Sequence, residues 1–383
     1  MPWTRRAAWT LLTASFALAL PATAEAARVV YINTEPVTVN AGMTNDPAMD
    51  TVNVNNFMTT DFDGWTGATD EQKQALLALL KDVSVAFDIE FTLERPASGP
   101  YDMVVFGSAD DHTSSFGDGC STQVGLSDCG DANGVSIAFT YWGCLDAEDQ
   151  LDVERVAFHT LGGLGYGWGL ENLAGNGQVM AQWSNNAVEW GTMCTNLNGG
   201  GACMHAECDA GQQNSSADLI ANIGARVDDG PPEVTVVSPA EGSDVDSPFD
   251  IVVEVDDAFG GIVTSLEIVD SGFPAVMDET FPYGWSEVAL ANGPTTLRVT
   301  ATDADGNSTS VDVGVCVGGG CPDDPTGGTE EGGETEEGGG ETTGAAAEEG
   351  GGGCSVAAGS TGAGGLAGLA LIGLLGLRRR RSS

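Results

Sequence analysis

The sequence predicts two folded regions in series, a mixed α/β (α+β) domain over residues 28–227 and an all-β sandwich over residues 231–317, followed by a disordered acidic stalk and a C-terminal transmembrane helix. Three observations carry this reading. Strand and helix signals alternate in the first region, and the second holds only short period-two apolar segments. Beyond Val317 the composition collapses to Gly, Glu and Thr before a last apolar run. The two folded regions meet at Asp228-Asp229-Gly230-Pro231-Pro232, a charged and turn-forming junction.

Residues 1–26 begin with Arg5 and Arg6, continue through an apolar run from Ala7 to Leu20 and end in small residues at Ala22, Ala24 and Ala26. This is the order of a secretory signal peptide, and the run is short for a membrane span. Val29 to Ile32 predicts a strand. Thr69-Asp70-Glu71-Gln72 reads as a capping box, in which hydroxyl and amide satisfy the free N–H groups that open a helix. Leu76, Leu77, Leu79, Leu80 and Val83 give that helix its apolar face. Ile89 to Leu93 and Met103 to Phe106 predict strands about a turn at Pro96 to Pro100. Val135 to Phe139 predicts another strand, and Leu151 to Thr160 a helix that runs into glycines at 162, 163, 165, 167 and 169. Each glycine costs a helix about 1 kcal/mol relative to alanine, so the expectation is a weakened or broken helix there. The second region reads as strands at Val234 to Val237, Ile251 to Val255, Leu266 to Ile268, Val288 to Leu290, Leu297 to Ala301 and Val311 to Val315, with turns such as Asn292-Gly293-Pro294.

The ends set the address. Residues 318–353 hold ten acids and no base, too polar to bury a core, and form a low-complexity stalk. Cys354 follows, then an uncharged stretch from Ser355 to Leu377 that is long enough to cross a bilayer, then Arg378 to Arg381, which hold the end on the cytoplasmic side. Against 56 acidic residues the chain has 13 basic ones, for a net charge of −43. Such a surface repels phosphates, which excludes nucleic acid as a partner. Cys120, Cys129, Cys144, Cys194, Cys203 and Cys208 cluster in the first region, Cys316 and Cys321 lie five apart, and Cys354 is left over. In an exported protein the first eight are candidates for disulfide bonds, with the pairing open.

Three resemblances add to this. The order Gly353-Cys354, apolar helix and terminal Arg run, over roughly residues 350–383, resembles the MYXO-CTERM sorting tail of myxobacterial surface proteins. That resemblance implies processing near Cys354 by a sorting protease, lipidation of that cysteine and attachment at the cell surface. The ending Val299-Thr300-Ala301-Thr302-Asp303-Ala304-Asp305-Gly306-Asn307-Ser308 is similar to bacterial immunoglobulin-like domains, which implies a spacer or adhesive module at 231–317. Asp303, Asp305 and Asn307 outline a partial calcium loop, but Gly314 stands where an EF-hand needs glutamate, so that motif is excluded.

Trp168-Gly169-Leu170-Glu171-Asn172 resembles the end of the metzincin motif H-E-x-x-H-x-x-G-L-x-H, and residues 28–227 are similar to secreted metalloprotease-like, zincin-like domains. The motif needs two histidines four apart on one helical face, a third past a glycine turn, and a glutamate to activate water. In the register fixed by Gly169 these positions fall on Gly162, Tyr166 and Asn172 for the ligands and Gly163 for the glutamate. None carries the required group. Met193 stands where the family's Met-turn falls. A register starting at His159 keeps one ligand and loses the glycine turn. The resemblance therefore implies a catalytically degenerate protease domain, with no catalytic residue and no cofactor, that binds an extracellular protein or glycan. An aromatic set, Tyr141, Trp142, Tyr166, Trp168, Trp183 and Trp190, fits either core packing or such a groove. The second reading keeps an enzyme, a divergent zinc metallopeptidase acting on extracellular protein. It would draw its metal ligands from His159 and another histidine, His205 in Cys203-Met204-His205-Ala206-Glu207-Cys208 or His112 in a polar loop, with Glu154 or Glu171 as base.

Overall fold

The computed structural model describes residues 27–175, 177–181, 188–199, 201–227 and 230–319. The signal peptide, the stalk beyond Gly319, Cys321, and the sorting tail with Cys354 lie outside the described residues. Among the described residues no helix is long and apolar enough to cross a membrane.

The fold is sheet-rich and mixed, with few helices. In chain order the first region contains β1 (Arg28–Asn33), β2 (Val37–Ala41), β3 (Thr51–Val52), β4 (Thr60–Phe62), α1 (Asp70–Val83), β5 (Ile89–Thr92), β6 (Asp102–Phe106), α2 (Ala109–Phe116), β7 (Gln123–Val124), β8 (Ile137–Thr140), α3 (Val153–Gly167), β9 (Thr195–Asn196), β10 (Gln212–Gln213) and α4 (Ser215–Asn222). The main sheet has the order β5-β1-β6-β8-β7. Its first four strands are parallel, with Val30 opposite Asp102 and Met103 opposite Ile137, and β7 closes one edge antiparallel to β8. Parallel strands joined by crossovers are covered on both faces, and β6 shows it with all five residues buried. Val104 and Phe106 pack under α1 and α3 with Leu76, Leu80, Leu161 and Leu164. Met103 and Val105 face the other way, onto Val39, Val52, Phe57 and Phe62 around the small sheet β3-β2-β4.

α1 begins where the sequence places it. Thr69 accepts from the Gln72 N–H, and the Gln72 side chain accepts from the Thr69 N–H. α3 departs from expectation, since it runs unbroken for 15 residues through Gly162, Gly163, Gly165 and Gly167. The physical reason is tertiary. A Cβ on Gly165 would stand 2.5 Å from Met180 Sδ, and one on Gly167 would stand 2.4 Å from Ser136 Oγ. The missing side chains let the helix lie close on the sheet, and burial of its flanking Leu161 and Leu164 offsets the glycine cost.

The second region adds β11 (Glu233–Ser238), β12 (Asp244–Val245), β13 (Phe249–Asp256), β14 (Val263–Ile268), β15 (Val276–Asp278), β16 (Gly284–Val288), β17 (Gly293–Thr302) and β18 (Ser308–Val317). They form two sheets, β11-β13-β16 and β12-β18-β17-β14-β15. Alternate residues Ile251, Val253, Leu297, Val299, Val313 and Val315 fill the space between them. Both regions belong to one compact unit. Where they meet, Asp82 accepts from the Gly261 N–H at 2.8 Å, and Lys81 donates to the Asp257 carbonyl. The buried Arg226 guanidinium lies 4.8 Å over the Phe259 ring and 2.9 Å from Asp305.

Candidate functional site

The site is built on the C-terminal half of α3 and the edge strand β7. α3 stops at Gly167, and Gly169 follows in a left-handed conformation (φ +87°) that an L side chain rarely adopts. Gly169 thus makes the glycine turn, and the register counted from it gives three positions that meet. The Gln123 side chain fills the space beside Gly162, where an added Cβ would stand 2.5 Å from its Oε1. Tyr166 lies beside Gln123 and donates its hydroxyl to Asn172 Oδ1 at 2.5 Å. Gly163, the glutamate position, packs against Ala138 Cβ at 3.4 Å and the carbonyl of Phe139.

His159 extends this set. Its Nδ1 lies 2.9 Å from Gln123 Oε1 and 3.0 Å from Thr122 Oγ1, and an amide oxygen only accepts, so Nδ1 is the donating nitrogen. Burial pushes the ring's pKa down to about 4, with Arg155 adding to the effect, so the imidazole is neutral at physiological pH. Burial raises Tyr166, although Gln123 and the bond to Asn172 pull the other way. His159 with Gln123, and Tyr166 with Asn172, form two neighbouring uncharged hydrogen-bonded pairs. They offer one imidazole where the motif needs three, and no carboxylate to activate water, so these residues do not fit the metal. Among the described residues no group of three or more His, Cys, Asp or Glu is placed to hold a metal ion.

The three histidines do not converge. His112 is not in a loop but on α2, buried with its ring 4.8 Å from that of Tyr141. His205 is buried between two carboxylates, with Nε2 3.0 Å from Glu171 Oε2 and Nδ1 2.9 Å from Asp218 Oδ2. Glu171 also accepts from the N–H groups of Ala202 and Cys203. Burial raises Glu171, but the Ala202 N–H, His205 and the Cys203 N–H outweigh it and hold the carboxyl below its usual range. At Asp218 burial wins over the Ala206 N–H and His205, and the pKa is raised. This arrangement ties the segment after α3 to α4 and to the loop between Cys203 and Cys208. Disulfides Cys129–Cys203 and Cys194–Cys208 fix that loop, and Cys120–Cys144 braces the approach to β7. Cys316 is also disulfide-bonded.

Met193 does not underlie the site, since its side chain is 77% exposed. The buried methionine against α3 is Met180, which uses the space left by Gly165. The aromatic set divides as well. Trp168, Tyr141 and Trp190 are core, Trp142 bonds the Gly64 carbonyl, and Trp183 lies outside the described residues. Trp168 also donates to the fully buried Asp102, which Arg28 grips with two nitrogens and which accepts from Ser136. That network anchors the end of α3 to β1 and β6. Of the aromatic set, Tyr166 reaches a cavity of about 170 Å3, with Glu171, Asn172, Asn198, Ser127 and Leu197 on its walls. Sequence reasoning missed Gln123, Thr122 and Asp102, because nothing local marks a residue whose partners lie 30 or more positions away.

The Asp303 loop works structurally. Asp303 accepts from the N–H groups of Asp305 and Asn307 and from the Asn307 amide, and these bonds hold its pKa down against burial. Asp305 faces Arg226.

No known protein family matches the chain, and no curated protein matches it. Parts of it are similar to 39 solved chains. They include fibronectin(III)-like modules of Clostridium thermocellum CbhA, with 24% identity over 22% of this chain and 94% of that chain and a TM-score of 0.20. The PKD domain from the human VPS10 domain-containing receptor SorCS2 is 15% identical over 24% of this chain and 77% of that chain, with a TM-score of 0.19. A modular endo-beta-1,4-mannanase from Cellulomonas fimi is 22% identical over 29% of this chain and 24% of that chain, with a TM-score of 0.18.

Proposed function

We propose that this is an exported, surface-anchored binding protein, in which a zincin-like domain without catalytic metal chemistry presents a binding site and an immunoglobulin-like sandwich and acidic stalk hold it away from the membrane. The observation that carries the reading is that Gly162, Tyr166 and Asn172 stand where the metzincin pattern needs metal donors, with the Gln123 side chain, itself bonded to His159, filling the space beside Gly162 and Tyr166 bonded to Asn172. The cavity beside these residues is lined by amide and hydroxyl groups of Ser127, Tyr166, Asn172 and Asn198 together with Glu171, whose carboxylate is taken up by His205 and the N–H groups of Ala202 and Cys203, which suits recognition of a peptide or glycan by hydrogen bonds. The disulfides support an oxidising compartment outside the cytoplasm. The MYXO-CTERM resemblance of residues 350–383 supplies the surface address.

The test is elemental analysis of the purified, disulfide-intact protein after incubation with excess zinc, beside a His159→Ala variant. The expected result is no stoichiometric zinc in either. Bound zinc that disappears in the variant would sink the binding-protein reading and restore the divergent metallopeptidase.

A further inference from the structure

A second surface, separate from α3, lies where the two regions meet. Among the described residues β5 ends the main sheet and pairs on one side only, with β1. Gly224 and Ala225 cover its approach at Asp88 and Phe87. From Glu90 onward the strand borders a groove of about 610 Å3, closed on the far side by the start of the sandwich. An outer strand presents a row of backbone N–H and C=O groups that an extended chain can pair with. The apolar part of the lining comes from Leu77, Leu93 and Pro231, with the core residue Phe91 beside them.

The walls decide what kind of chain fits. Glu90, Glu94, Glu233, Asp256 and Asp257 line the groove against one base, Lys81, whose ammonium is taken up by the Asp257 carbonyl. Glu90 stands on β5, and Glu94 follows in the bend just past its end, where Thr92 Oγ1 accepts from the Glu94 N–H. A groove lined with one sign of charge concentrates ligands of the other sign. An acidic peptide is repelled, and a neutral one gains nothing from the walls.

We propose that this groove takes an extended basic peptide segment of a partner protein, which adds to β5 as an outer strand, places alternate Lys or Arg side chains against the carboxylates and rests the intervening apolar ones on the apolar lining. The proposal stands apart from the α3 site and survives if that site proves empty.

The probe is a capped hexapeptide of alternating Lys and Val, titrated into the protein by calorimetry at low salt. Three comparisons accompany it: the same peptide N-methylated at alternate amides, a Glu-Val analogue, and two double variants. Glu90→Lys with Glu94→Lys alters the groove, while Asp146→Lys with Glu148→Lys makes the same change in net charge elsewhere on the surface. Circular dichroism confirms that both variants are folded. Expected are saturable binding of the basic peptide, no binding of the acidic one, and a loss of about tenfold or more on N-methylation and in the groove variant only. No binding of the basic peptide, equal binding of its N-methylated form, or an equal loss in both variants would overturn the proposal.

Discussion

At the scale of single residues, the site is governed by which groups are denied charge. His159 is held neutral by burial, so folding binds fewer protons than the unfolded chain between the ordinary histidine pKa near 6.5 and the folded value of about 4. Its stabilising effect is complete above the unfolded value and falls away as pH drops through that window, levelling off below about 4. Relative to a His159→Gln variant, the protein should lose about 2 kcal/mol of stability between pH 7 and pH 5, measured by urea unfolding at each pH. An equal loss in both would mean that His159 titrates normally. Tyr166→Phe removes the hydroxyl that donates to Asn172, and an expected cost of about 1 kcal/mol follows from one lost hydrogen bond in a half-buried place. Urea midpoints at constant slope would show it. The vacancies at 162 and 163 could be read from residue identity, because glycine has no donor. The partner that fills the first of them, Gln123, could not, since its side chain arrives from a strand 39 positions away.

At the scale of elements, α3 inverts the usual rule for glycine. In an exposed helix, Gly→Ala stabilises by up to about 1 kcal/mol. Within this helix the sign should depend on what the new methyl group meets. Gly163→Ala places it 3.4 Å from its nearest neighbour, an ordinary contact, and should leave the protein as stable as before or slightly more so. Gly167→Ala places it 2.4 Å from Ser136 Oγ and 2.8 Å from Ser136 Cβ, a short side chain already engaged with Asp102. That variant should lose about 1–3 kcal/mol by overpacking, seen as a lower melting temperature. Equal effects at the two positions would show that propensity and not packing sets the cost. Elements with a local chemical start were readable, as at Thr69 and Gln72. α2 carries a similar box, Ser108 with Asp111, but its eight residues lack the apolar periodicity that draws notice. α4 hides for the same reason behind its Asn214 cap.

At the scale of the whole molecule, the two folded regions act as one through a small and specific seam. Arg226 is buried there, paired with Asp305 and stacked over Phe259, while Gly260 lets the sandwich approach the backbone of α1. Arg226→Ala leaves the buried Asp303 and the ring without their cation, and should cost about 3 kcal/mol. Calorimetry should then resolve two unfolding transitions where the unaltered protein gives one. A single transition in the variant would show that the seam is held by other contacts. Among the disulfides, Cys129–Cys203 closes a span of 74 residues and Cys194–Cys208 one of 14. On chain entropy their removal should cost about 4 and about 3 kcal/mol respectively, so the longer bridge matters more to the site it frames.

The sequence by itself determined what depends on near neighbours and composition. Legible in the sequence were the alternation of strands and helices up to residue 227, the all-strand region after it, the capping box of α1, the excess of acidic residues and the side chains that stand at positions 162, 163, 166 and 172. It misjudged α3, because the cost of glycine is local while the close helix–sheet packing that offsets it is not. The cysteine pairing, the carboxylates around His205, the exposure of Met193 and the groove along β5 were decided only by the tertiary structure. Each depends on segments tens of residues apart coming together, and that choice is made by burial of the whole core, with no signal in any one stretch of chain.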